Sequence, residues 1–269
     1  MLTVKQKQDY NENLKEFKAY QDDLKKDVSL YKVQMKKNKA SEPYYQIAII
    51  MHSIRFINTC ILINELSVAK LEIKSETYLN LGRKEIYSVL SSLEKVVGND
   101  YDGGLGDNKE ALAAIALIPP LQRLNLLKNL KDIIDKMVEA YGSSSKWKWS
   151  WPEIHFKFAV VAKNFFDFRA YERESDLSSD NYYVYREHYE LIIELCNFAA
   201  QEYRSKFDLS TTDTNDLRKS VAMLDLIRKI YQITGDTDDL EKTKNLIDSL
   251  NMKIESLEEE KKKDKKKKK

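Results

Sequence analysis

Apolar residues recur along most of this chain at steps of three, four and seven, the spacing that lines up one face of an α-helix. The opening segment shows it most plainly. Tyr10, Leu14, Phe17, Leu24, Val28, Tyr31 and Met35 keep a period close to 3.5, and Gln21 fills the one skipped position. A narrow apolar line on a helix otherwise made of Lys, Asp, Glu, Asn and Gln is a coiled-coil-like seam. The pattern predicts a helix over 3–39, roughly 50 Å long at 1.5 Å per residue, which must pack lengthwise on this chain or on another.

The breaks between periodic stretches predict about nine helices. Ser41-Glu42-Pro43 ends the first, with Pro placed for the first turn of the second, over 43–74, which is apolar on most faces and therefore central. A third covers 76–97 and stops at Gly98. After the turn-rich GNDYDGGLGDN at 98–108, Asp107 or Asn108 can cap a short helix that ends at Pro119-Pro120, and a fifth spans 120–141. Four more are expected over 152–173, 181–207, 215–234 and 237–260. The fold class is therefore all-α: a long N-terminal amphipathic helix, then an antiparallel bundle or repeat-like stack. No 34-residue tetratricopeptide repeat emerges. The expected division is an N-terminal helical part at 1–142, a Trp-rich connector at 143–152, a C-terminal helical part at 153–260 and a disordered Lys-rich tail at 261–269.

Composition agrees. Among 269 residues there are only 7 Gly and 4 Pro, while charged residues reach 33%, above the ordinary level of about 25%. The net charge of +2 hides an uneven distribution, because the closing KKKDKKKKK carries +7 and leaves a body of −5. Such a body offers no field for nucleic acid. The stretch IAIIMHSIRFINTCILINELSV is interrupted by His52, Arg55, Asn58, Asn64 and Glu65, each costly in lipid, so a buried core helix is expected rather than a membrane span. The start, MLTVKQKQDYNEN, lacks a signal-peptide pattern, and as written the chain reads as cytoplasmic. Cys60 and Cys196 sit in apolar helical stretches without the spacing of a metal or redox pair. Buried free thiols are expected, although a bridge between them is open if their helices touch.

No catalytic, cofactor-binding or metal-ligating set is found. His52, His155 and His188 match neither H-E-x-x-H nor a Glu-x-x-His pair. The GGLGDNKE stretch follows no strand and lacks the G-K-[ST] ending of a phosphate loop. Read as a calcium loop from Asp100, it has Gly104 and Ala111 where oxygen ligands belong. A non-enzymatic protein is expected.

Two aromatic features point instead to protein partners. Trp147, Trp149 and Trp151 alternate with Lys146, Lys148 and Ser150. Extended, this stretch would turn its three indoles to one side, either to plug the junction between the helical parts or to anchor a partner. Carbohydrate or nucleobase stacking is the remaining use. The run from Phe165 through Phe166, Phe168 and Tyr171 to Tyr182, Tyr183, Tyr185 and Tyr189 is too dense for one core face. It either wraps entirely into the core or leaves rings for a partner surface, Phe166, Phe168, Tyr171, Tyr182, Tyr183 and Tyr185 among them.

The segments YLNLGRKEIYSVLSSLEKVVG (78–98) and YYVYREHYELIIELCNFAAQEYRSKF (182–207), with the Lys-rich tail and the Tyr, Lys and Asn bias, resemble helical proteins of spirochaetes. The nearest family is that of the flagellar-coiling sheath proteins. The resemblance implies a bent, helical, non-enzymatic component of the coat on a flagellar filament, and a periplasmic location if the chain is a trimmed mature form. Partners would then be filament proteins or further copies of the chain. An adaptor that binds a peptide or partner helix is the second expectation. A small-molecule carrier or enzyme with a site between helices is the third.

Overall fold

The computed structural model describes residues 4–267, with side chains to Lys263. It is 84% helical, without strands among the described residues. Ten α-helices follow in order: α1 (Val4–Lys37), α2 (Glu42–Leu71), α3 (Glu76–Val97), α4 (Lys109–Ala114), α5 (Pro120–Tyr141), α6 (Trp151–Asn164), α7 (Phe168–Arg173), α8 (Tyr182–Lys206), α9 (Thr214–Thr234) and α10 (Thr237–Lys267).

Ten helices replace the expected nine because the segment 152–173 is two helices. Phe165 and Phe166 turn away from the α6 axis. Asp167 then starts α7, its carboxylate accepting the amides of Arg169 at 3.1 Å and Ala170 at 3.0 Å. An N-cap of this kind restarts a helix within an otherwise continuous apolar pattern. At the far end α10 runs helically to Lys267, into the lysine run expected to be disordered from 261. Lys268 and Lys269 lie outside the described residues.

The chain forms two compact units. The first holds residues 1–98 and 110–148, the second 99–109 and 149–269. Their division at 148/149 falls inside the Trp-rich connector, while the turn-rich segment 99–109 belongs to the second unit rather than to the N-terminal part.

In the first unit α2 is central. It packs against α1, α3 and α5, burying Ile57, Cys60, Ile61 and Ile63, while the cores of α3 and α5 include Ile86, Leu90, Leu127, Leu130 and Met137. Gly82 on α3 permits the close approach: a Cβ there would stand 3.3 Å from Cys60 Cβ and collide with Met137. Asn64 of α2 accepts the Ser75 amide at 2.9 Å, just before α3 begins. The helical stretch Lys39–Leu71 is long and apolar enough to cross a membrane, and 56% of its most apolar 18-residue window is buried inside the protein.

In the second unit α6, α8, α9 and α10 pack successively. Segment 99–109 is held by α6 and α9. Buried Lys163 donates to the Asp100 carbonyl at 3.0 Å, Lys229 pairs with Asp102 at 3.1 Å, and Asn108 donates to the carbonyls of Asn164 and Phe166 at 2.8 and 2.7 Å. Burial pulls the Lys163 ammonium pKa below its ordinary value, partly opposed by Asp100.

Candidate partner-binding groove

The seam read from α1 packs on α2, antiparallel, in one constant register. Asp9 faces Lys70 at 3.6 Å, Asp27 faces His52 at 3.4 Å, and Met35 Sδ accepts a hydrogen bond from Gln46 at 3.3 Å. Midway, buried Gln21 donates to Thr59 Oγ1 at 2.7 Å and approaches Cys60 Sγ at 3.5 Å. A polar residue at one seam position selects a single register, because sliding the helix would strand its amide among apolar groups.

Lying on α2, α1 leaves a groove on its α3 side. Two adjoining hollows of about 260 and 420 Å³ share Val28, Lys32, Ser53 and Glu85. The α1 wall presents Leu24, Lys25, Val28, Lys32, Met35 and Lys36; the α2 floor presents Gln46, Ile49, Ile50, Ser53 and Phe56; the α3 wall presents Glu85, Ser88, Val89, Ser92 and Lys95. Each set repeats at three and four, so three helix faces converge on one channel. Lys25 pairs with Asp22 at 3.2 Å and lies over the Phe56 ring. Exposed Lys32, Lys36 and Lys95 have no ion-pair partner among the described residues. Nothing in the sequence alone joined Ser88, Ser92 and Lys95 to the α1 lysines, although each set carries the helical spacing.

The aromatic positions expected to serve partners are distributed differently. The connector is not extended: successive turns lead into a 3₁₀ turn at Lys148–Ser150 and then α6. Trp147 is half-buried with the Arg83 guanidinium 3.9 Å from its ring centroid, a cation–π contact inside the first unit. Trp149 is half-buried and Trp151 is buried.

Phe166, Phe168 and Tyr185 are also core residues. The structure therefore corrects the expectation of a partner surface at these three and at Trp151. The α6–α7 break turns Phe166 inward, where its ring meets Phe168 at 4.7 Å, His188 at 5.0 Å, Tyr171 at 5.4 Å and Tyr185 at 5.7 Å. Half-buried Tyr171 stacks on Tyr189, Tyr182 is half-buried, and Tyr183 is 73% exposed.

A family model, that of the TP0443 family, matches residues 6–258. The chain belongs to the TP0443 family. This Treponema-type family fits a spirochaete protein, and the TP0443 match runs from α1 into α10 across both units. No curated protein and no solved structure matches the chain.

Among the described residues no group of three or more His, Cys, Asp or Glu could hold a metal. Cys60 and Cys196 are free and buried, and burial pushes both thiols up to about 12. His155 faces Glu202 at 2.9 Å. Nearby, Glu153 accepts from Tyr203 at 3.1 Å and Lys219 at 2.8 Å. Burial raises the Glu153 carboxyl, but these donors and the Lys219 charge outweigh it and leave the pKa below its ordinary value.

Proposed function

We propose that this protein is a non-enzymatic assembly protein that works through helix–helix contacts with protein partners. One observation carries the reading: α1 rests along α2 and leaves an open groove of three helical faces beside it. Helical bundles fill such channels with another helix. Coating a flagellar filament is the specific form we put forward, supported by the two segments that resemble sheath proteins and by the Treponema-type family. Co-sedimentation of the purified chain with filaments, read by negative-stain microscopy, tests it. Decoration is expected, and a chain that stays in the supernatant would sink the sheath form. The groove also favours a second reading, an adaptor that holds one partner helix. A monomer by light scattering that retains one defined protein would select it.

A further inference from the structure

Resting on the assembly reading, we infer that the α1–α3 groove receives an acidic amphipathic helix from a partner protein. The channel runs along α1 from Leu24 to Lys36, about 18 Å at 1.5 Å per residue, which suits roughly three turns of helix. Its α3 wall carries Ser88 and Ser92, small side chains that let another backbone come near. Val28 and Met35 offer partly exposed apolar surface for Leu or Ile knobs at three- and four-residue spacing. The charge selects the partner's sign: among the described residues Lys32, Lys36 and Lys95 pair with no carboxylate, and Glu85 is the acid among the lining residues. The hollow on the α5 side of α1 carries less free positive charge: Lys136 pairs with Asp132 at 2.8 Å and Arg55 is the other cation in its lining.

The test uses the full chain and a synthetic helical peptide of about fifteen residues, Leu on one face and Glu on the flanks, read by fluorescence anisotropy. Its counterpart with Lys on the flanks is the control. The Glu peptide is expected to bind at least tenfold more tightly, and to weaken as salt rises. The triple variant K32E/K36E/K95E alters exposed side chains, so circular dichroism should be unchanged while the preference inverts. Equal binding of the two peptides, binding of neither, or an unmoved preference in the variant would overturn the inference. So would a self-assembled chain whose association the triple variant abolishes while the peptide fails to bind, since the occupant would then be a second copy. Filament decoration or partner capture that survives the triple variant, with no peptide preference, would overturn the groove inference alone and leave the assembly reading standing.

Discussion

At the scale of single residues, several polar and titratable groups inside the helices have specific partners. Gln21 is the clearest. Replacing it by Ala leaves Thr59 without its donor and opens a small gap, so Q21A is expected to lower stability by about 1–2 kcal/mol in urea denaturation. Q21L should recover much of that loss by packing in the seam, and an unaltered midpoint in Q21A would refute the register role. The two thiols give a second expectation: with pKa values near 12, Cys60 and Cys196 should resist a thiol reagent at pH 8 until the chain unfolds. Glu153 gives a third. Its folded pKa lies below the ordinary carboxyl value, so its contribution is present above that value and is lost as pH falls through the folded pKa. Urea midpoints measured from pH 6 to pH 3 should therefore fall less steeply in E153Q than in the parent. Of these features, the sequence made Gln21 visible as a skipped apolar step, and both cysteines as apolar neighbours. The pairing of Arg83 with Trp147 was invisible, because periodicity carries no information about contacts between distant segments.

At the scale of helices, seam spacing, Gly stops and Pro starts placed most boundaries, since each is set by local backbone chemistry. The bounds of α3 and α5 fall where these signals put them, at 76–97 and 120–141. The α6–α7 break escaped because an aromatic run looks continuous on any period. Asp167 was the one signal that could have exposed it. Its removal in D167A should cost about 1 kcal/mol, measurable as a lower thermal midpoint with faster amide exchange at Arg169 and Ala170. The close approach of α3 to α2 and α5 depends on Gly82. G82V would drive methyls against Cys60 and Met137 and is expected to cost about 1–3 kcal/mol by overpacking. The groove was only half legible. Each wall shows its own spacing, but which faces converge depends on how α1, α2 and α3 pack.

At the scale of the whole molecule, the two units do not follow the chain in simple succession. The path leaves the first unit after Gly98, contributes 99–109 to the second, returns for 110–148 and then completes the second. Neither unit corresponds to one uninterrupted stretch, so cutting at the Trp-rich connector does not separate them cleanly. A fragment of 149–269 lacks Asp100, Asp102 and Asn108, the partners of Lys163, Lys229 and the 164–166 carbonyls. It is expected to melt at a lower temperature than the second unit of the intact chain.

This interleaving has a consequence for biosynthesis. As the polypeptide emerges from the ribosome, 99–109 appears well before α6 and α9. Asp100 and Asp102 must wait for lysines not yet translated, and the carbonyl that will receive buried Lys163 stays in water until then. The second unit therefore cannot finish as an independent late module: its earliest strip is made before 110–148 of the first unit and waits on the nascent chain for the rest of its own unit.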